Sequence, residues 1–528
     1  MKITAAIANG AWLAASMPEY LRFRRAAIAP EPTQRRLLRA YLARNKDTAF
    51  GRQHGFAGIR TWEDYAACVP VRSYDDYRDW ISRIAGGEQA VLTADRVRLF
   101  EPSSGSSGGA KWIPYTAGLQ SEYRRAVAAW IAALFLSRPR LMAGRAYWSL
   151  TPPADDQPTA DSKVPIGFDE DSAYLGGVAQ RLVNLALATP ANLQRVKNSD
   201  DFWRATALSL LACTDLRIVS AWHPSFILLL LRYVRDNWSE LLTDLSAGAR
   251  IDGLTFAALP GRSRVLRERG PDDATALWPQ LALISCWGDG HAAAGLRDVQ
   301  RAFPGVAVQP KGLLATEGVV TIPIGDRRPL AVRSHFFEFE DNAGSVRPSW
   351  DLNEGDEYQV IMTTGGGLYR YALRDRVSVS GYYRDTPCLE FIGKADNVVD
   401  YRGEKLSEGF VVSCLNEAFD ELGVDSRFAM LAPELSEEPP GYTLYVETDA
   451  DLPTGLRDRL EEKLQRGYHY ALCVRLGQLR PLQVTRVRGP AYDAYVQALT
   501  KRGMRLGDIK PTALSRYTDW SERFAALP

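Results

Sequence analysis

The hydrophobic pattern of this chain changes period near residue 95, and that change limits the architectures open to it. Before it, the chain reads as helices with charged residues between apolar ones, as in PTQRRLLRAYLARN. After it come short apolar or alternating segments: RVRLF, RAYWSL, RIVSAW, DGLTFAAL, LALISCW, GVAVQP, VVTIPI, EYQVIMTT, RVSVSGYY and LEFIG. Helical stretches such as PSFILLLLRYVRDNWSELLTDL separate the earlier of these. Strands alternating with helices predict an α/β fold of layered sheets and helices, with parallel pairing where a helix intervenes. The later strands follow one another too closely for such crossovers. They predict an antiparallel, β-barrel-like portion.

One compact core does not extend over 528 residues, so the chain should divide. The stretch GKADNVVD, residues 393 to 400, is the candidate boundary, giving a large domain over 1–395 and a small one over 396–528. Beyond it, LSEGFVVSCLNEAFDELG places Phe410, Val411, Cys414, Leu415, Ala418 and Leu422 at helical spacing, with Gly423 as the stop. FAMLA and YTLYVET then read as strands, LPTGLRDRLEEKLQRG as a helix, and CVRL and QVTRV as strands. That is a small α+β domain. No internal repeat is present.

The net charge of +1 gives no general attraction to nucleic acid or to an acidic membrane. The six cysteines contain no C-x-x-C pair, and the five histidines are dispersed, which argues against a zinc site or a disulfide framework. MKITAAIANGAWLAAS starts like a secretion signal, but Asn9 and Gly10 interrupt its apolar run. It reads as an N-terminal helix packed on the body. FILLLLRYV falls far short of the roughly 20 residues of a membrane span. The reading is a cytoplasmic protein.

Three stretches carry candidate chemistry, each with a plain alternative. In EPSSGSSGGAKWIPYT the serines and glycines ahead of Lys111 suit either a flexible linker or a loop whose N–H groups converge on phosphate. In QPKGLLATEGVVTIPI, Thr316 and Glu317 stand in a turn after a short strand. A carboxylate beside a hydroxyl there suits magnesium, and a turn with a surface glutamate fits as well. In TTGGGLYRYALRDRVSVSGYY, Asp375 precedes a strand, where it either receives a ribose diol or is the solvated residue of a hairpin. Lys510, before a proline in MRLGDIKPTAL, has on residue type alone the look of a solvated lysine.

The order of these pieces, with the GKAD junction and the C-terminal lysine, resembles the acyl-adenylating superfamily. More closely, NKDTAFGRQHGF, VPVRSYDDYRDWISRIAGGE, SSGSSGGAKWIPYT, LWPQLALISCW, ATEG, LYRYALRDRVSVSGYY and LGDIKP resemble the auxin-responsive acyl acid amido synthetase family, including its bacterial members. The resemblance runs over nearly the whole chain. It implies a large N-terminal adenylating domain, a small mobile C-terminal lid, and ATP with Mg2+ as cofactors. It also implies adenylation of a small carboxylic acid, then transfer of the acyl group to an amine, usually an amino acid, with release of pyrophosphate and AMP.

By the same resemblance Ser103, Ser104, Gly105, Ser106, Ser107, Gly108 and Gly109 form the loop over the β- and γ-phosphates, with Lys111 at its end. Thr316 and Glu317 meet the α-phosphate and the magnesium, Asp375 the ribose, and Gly288, Asp289 and Gly290 the adenine pocket. Lys510 approaches the α-phosphate and the carboxylate, and Asp396 is the hinge. Trp222 and His223 are candidates for the acyl pocket, although ordinary packing accounts for both. Three positions depart from the superfamily's pattern. Leu313 stands where a tyrosine often stacks on adenine, Arg374 replaces the glycine before the ribose aspartate, and Lys394 stands where many relatives have arginine. A thioester-forming ligase, such as an acyl-CoA ligase, and a non-catalytic nucleotide-binding homologue are the alternative readings. The sequence is silent on oligomeric state.

Overall fold

The computed structural model describes residues 2–103, 111–148, 162–167, 177–190, 192–196, 198–221, 223–289, 292–394, 398–402, 404–502, 504 and 509–527. They form two compact units. The first holds Met1–Trp287, Val299–Leu373 and Ser378–Glu390; the second holds Gly288–Asp298, Arg374–Val377 and Phe391–Pro528. The Asp396 position falls outside the described residues.

The first unit begins with helices, as the patterning requires: α1 (Lys2–Ala26), α2 (Pro30–Asn45), α3 (Ala49–Gln53), α4 (Trp62–Cys68) and α5 (Arg78–Ala85). A capping box at Thr61 and Asp64 starts α4. Strands β1 (Leu99–Ser103) and β2 (Lys111–Tyr115) pair antiparallel, and α6 (Ala117–Ser137) follows from an N-cap at Thr116. Next come β3 (Arg145–Trp148), α7 (Gly177–Ala186), α8 (Ser199–Ala212), β4 (Leu216–Ser220), α9 (Pro224–Asp236) and α10 (Trp238–Ala247). A hairpin of β5 (Ala249–Ile251) and β6 (Leu254–Phe256) precedes α11 (Pro260–Arg269) and α12 (Ala274–Leu277). After β7 (Leu283–Cys286) come α13 (Ala292–Ala302) and β8 (Ala307–Pro310).

Strands β3, β4, β7 and β8 form one sheet in that order, every pair parallel. Helices intervene between consecutive members, which is the connection parallel strands need. Trp12, Ile131, Leu134, Phe135, Ile218 and Leu283 join α1, α6 and this sheet in one apolar cluster. Buried Asn9 does not break it, because its amide donates to the carbonyls of Met142 and Gly144.

The next strands are β9 (Leu314–Ala315), β10 (Gly318–Val319), β11 (Phe336–Glu340), β12 (Val346–Pro348), β13 (Glu357–Thr363), β14 (Tyr371–Tyr383) and β15 (Thr386–Lys394). The last five of these form a sheet in the order β12-β11-β13-β14-β15, with β11 antiparallel to both neighbours. Two sequence expectations change here. VVTIPI is not one strand: only Gly318–Val319 pairs with β9, and Pro323, lacking an N–H, interrupts the remainder. Asp375 does not precede a strand but lies inside the single continuous β14.

The second unit adds β16 (Val398–Val399), β17 (Leu406–Ser407), α14 (Glu408–Leu422), β18 (Phe428–Glu434), β19 (Gly441–Glu447), α15 (Leu456–Leu464), α16 (Tyr468–Arg475), β20 (Gln483–Arg486), α17 (Ala491–Lys501) and α18 (Trp520–Ala525). Ser407 caps α14, and Gly423 ends it in the left-handed conformation with φ 66°. The sheet β18-β19-β20 is buried on both faces. Leu431, Leu444 and Val446 face a cluster that includes residues of α14, α15 and α16, while Phe428, Met430 and Tyr445 face residues of α17 and α18. CVRL is corrected here: it is not a strand but the end of α16. Tyr470 and Cys473 enter the core three residues apart, a helical spacing that a four-residue window does not reveal. Among the described residues no helix is long and apolar enough to cross a membrane.

Candidate active site

The register of β9 and β10 sets Ala315 opposite Gly318, so Thr316 and Glu317 are the two residues of a tight turn. The surface-glutamate alternative fails, because Glu317 is only 6% exposed. Its Oε1 accepts a hydrogen bond from the Tyr371 hydroxyl at 3.0 Å. From α6 the Tyr123 hydroxyl faces the carbonyl oxygens of Ala315 and Thr316, the latter at 2.8 Å. Gly318 has no room for a side chain: a Cβ there would lie 2.5 Å from His335 Nε2 and 2.6 Å from the Met362 methyl carbon. The turn is therefore fixed on both flanks.

Lys111 opens β2 directly opposite Ser103. Its ammonium stands 5.9 Å from the centroid of the Tyr74 ring, and the Trp112 N–H donates to the Tyr74 hydroxyl at 2.6 Å. Burial is the main reason the Tyr74 phenol titrates above its ordinary range; the Trp112 N–H opposes this, and the charge of Glu317 adds to it. Tyr74 thus stands beside Lys111 and within electrostatic reach of Glu317. Ser104, Gly105, Ser106, Ser107, Gly108 and Gly109 lie outside the described residues.

In the second unit, the last residues of β15, Phe391 to Lys394, gather the other expected groups. Asp375 is buried, and Lys394 Nζ stands 2.9 Å from its Oδ1. Asp289 is also buried, and its Oδ2 accepts the Phe391 N–H at 3.3 Å. Gly288 is in the same unit, and Gly290 lies outside the described residues. The departure at Arg374 has a structural reading: its φ is 61°, the left-handed conformation that glycine supplies freely. An exposed arginine keeps the backbone shape at a steric cost of about 1 kcal/mol. Lys510 has an exposed side chain on an anchored backbone: its carbonyl accepts from Tyr495 Oη at 2.9 Å, and neighbouring Ile509 is buried. His223 is buried just after β4; Trp222 lies outside the described residues.

Reading the sequence for motifs passed over Tyr74, Tyr123 and Tyr371, although two of them sit in the quoted stretches SYDDY and LYRYALRD. It also passed over Lys311, at the C-terminal end of β8, whose N–H donates to the Cys286 carbonyl at 2.9 Å. Burial pushes the Lys311 ammonium down to about 8, with the Cys286 thiol opposing weakly. A lysine four residues before ATEG was the available signal.

The solved structure of AtGH3.15 acyl acid amido synthetase in complex with 2,4-DB matches 97% of this chain and 96% of its own with a TM-score of 0.84, at 19% identity. A 2-hydroxyisobutyryl-CoA ligase in the postadenylation state with 2-HIB-AMP matches 93% of this chain and 90% of its own at 0.54 and 13% identity. The fold is thus that of the acyl-adenylating ligases. Residues 20–308 match the GH3 family N-terminal domain, 329–394 the GH3 family central domain and 411–519 the GH3 family C-terminal domain. The chain belongs to the GH3 family. Indole-3-acetic acid-amido synthetase GH3.3 of Arabidopsis thaliana is 22% identical over 79% of this chain and 74% of its own length. Probable indole-3-acetic acid-amido synthetase GH3.7 of Oryza sativa subsp. japonica is 24% identical over 91% and 90%. Membership makes the protein an acid–amine ligase and implies the use of ATP.

Proposed function

We propose that this protein adenylates a small carboxylic acid with ATP and Mg2+ and passes the acyl group to the amine of an amino acid. The observation that carries this reading is the buried Glu317 carboxylate, held by Tyr371 in a two-residue turn of a GH3 chain. In the first step a carboxylate oxygen of the acid attacks the α-phosphorus and pyrophosphate leaves. In the second, the amine nitrogen attacks the acyl carbon, AMP leaves with the carbon–oxygen bond broken, and the nitrogen loses a proton.

Thr316 contacts the α-phosphate, and Lys111 with Ser103 to Gly109 holds the β- and γ-phosphates. Asp375 receives the ribose diol, with Lys394 beside it, and Gly288, Asp289 and Gly290 border the adenine. Lys510 stabilises the charge that develops on the α-phosphate and carboxylate. Glu317 fits Mg2+ because the ion is held by one or two carboxylates plus substrate phosphates and water. Mg2+ would be held there by Glu317 together with the phosphates of the nucleotide. When bound, it neutralises phosphate charge. The division into residues 1–395 and a lid of 396–528, hinged at Asp396, and residence in the cytoplasm belong to the same proposal.

The test is pyrophosphate release with ATP and Mg2+ across a panel of carboxylic acids, each alone, with mixed amino acids, and with coenzyme A. Acid-dependent release that rises with an amino acid, with an amide product by mass spectrometry, is the expected result. Stimulation by coenzyme A alone would move the acceptor to a thiol.

A further inference from the structure

Val319, the second residue after the Thr316–Glu317 turn, donates its N–H to Nε2 of His335 at 3.0 Å. His335 is fully buried. An Nε2 that accepts carries no proton, so the ring's N–H end is Nδ1. That atom stands 2.9 Å from Oε2 of Glu122, too far off axis for a hydrogen bond but close enough for a strong charge–dipole contact. Glu122 is itself buried and accepts from the Tyr41 hydroxyl at 2.7 Å. It also accepts the Gly365 N–H, which lies 3.0 and 2.9 Å from its two oxygens.

The backbone around His335 is equally constrained. Fully buried Gln34 of α2 donates to the carbonyls of Val332 and His335 at 2.8 and 2.7 Å, and accepts the Phe337 N–H at 2.8 Å. The two glycine turns that the sequence set apart, ATEG and TTGGG, meet this assembly at close quarters. A Cβ on Gly318 would strike His335, and one on Gly365 would lie 2.5 Å from Glu122 Oε1. Thr116, the N-cap of α6, donates its hydroxyl to the Gly365 carbonyl at 2.9 Å. A buried ring pinned from behind and aimed at the strand that leaves the turn does more than fill space.

We infer that His335, backed by Glu122, is a positioning residue that sets the Thr316–Glu317 turn for the metal-bound triphosphate, acting through the Val319 N–H. The inference rests on the adenylation reading above. Its chemistry is specific, since it needs an acceptor at the Nε2 position. A glutamine can place its amide oxygen near that point, whereas an asparagine reaches only the Nδ1 end.

The experiment compares His335→Gln with His335→Asn, two amides with similar cost of burial, after circular dichroism melting shows both folded. ATP affinity is measured by calorimetry with and without Mg2+, and pyrophosphate release with an active acid. His335→Asn should lower kcat about tenfold and remove most of the Mg2+-dependent gain in ATP affinity, because a small misplacement at a reacting centre has large effects. Metal-free ATP affinity should stay within about twofold, and His335→Gln should recover kcat to within about threefold. Equal losses in the two variants, or an undiminished Mg2+ gain in His335→Asn, would overturn the inference. A wild-type protein with neither Mg2+ gain nor acid-dependent release would instead overturn the adenylation reading itself, and this inference with it.

Discussion

Glu317 and Lys510 are held in opposite ways. Glu317 is buried, its carboxylate bound by Tyr371 and the backbone beside it by Tyr123. Lys510 has an exposed side chain on a held backbone: the Tyr495 hydroxyl donates to its carbonyl, and Leu514 bridges to Leu431 of β18. One group is immobilised to its tip, and the other is an exposed side chain on a rigid base. Under the proposed adenylation, the difference suits two different jobs. A group that receives a metal-bound phosphate gains from fixed geometry, whereas a cation that must act in one half-reaction gains from reach.

The largest effect should come from the reaching group. Lys510→Ala is expected to cut pyrophosphate release by a factor of about 100 to 1000 while leaving ATP affinity within about threefold. Unchanged turnover would remove Lys510 from the chemistry and with it this contrast. Tyr371→Phe sharpens the other side: loss of one hydrogen bond to a charged carboxylate should lower kcat about tenfold, with a smaller change in thermal midpoint. If the midpoint falls and kcat does not, Tyr371 serves the fold alone.

A third test uses pH. Lys311 loses its proton near pH 8 in the folded protein and near its ordinary 10.5 when unfolded. Over that window the unfolded chain binds more protons, so the lysine's contribution to stability rises with pH. The penalty of burying its charge is present in full below pH 8 and gone above 10.5. Urea unfolding of wild type and Lys311→Met at pH 7 and pH 9.5 should show the wild type gaining on the variant at the higher pH. A constant difference would contradict the burial of that charge. The smallest effect belongs to Arg374: replacement by glycine should change stability by less than about 1 kcal/mol, since relief of strain and loss of chain entropy nearly cancel. A β-branched Arg374→Val should cost about 1 to 2 kcal/mol more, read from urea midpoints.

Much of this was legible in the sequence, for identifiable reasons. The α/β alternation and α14 with its terminal Gly423 follow from local periodicity and local backbone preference. The turn at Thr316 and Glu317 announces itself by composition. The tyrosines that hold it do not, because their roles depend on pairing across the fold: Tyr371 is 54 residues from its carboxylate, and Tyr123 is 193 from the Thr316 carbonyl. Glu317 was ambiguous for the same reason, since burial is a property of the neighbours. CVRL misled because four residues fit either period, and VVTIPI because β-branched residues masked the effect of Pro323.

The discontinuous make-up of the second unit has a consequence during synthesis. Gly288–Asp298 and Arg374–Val377 emerge from the ribosome well before Phe391–Pro528, with which they are finally grouped. At ribosomal speeds of roughly 5 to 20 residues per second, the first of these segments waits on the order of ten seconds for its companions. Asp289 therefore spends that interval without Phe391, the partner that later holds it, whereas Asp375 waits only about one to four seconds for Lys394. For this unit, the order of translation and the order of assembly are not the same.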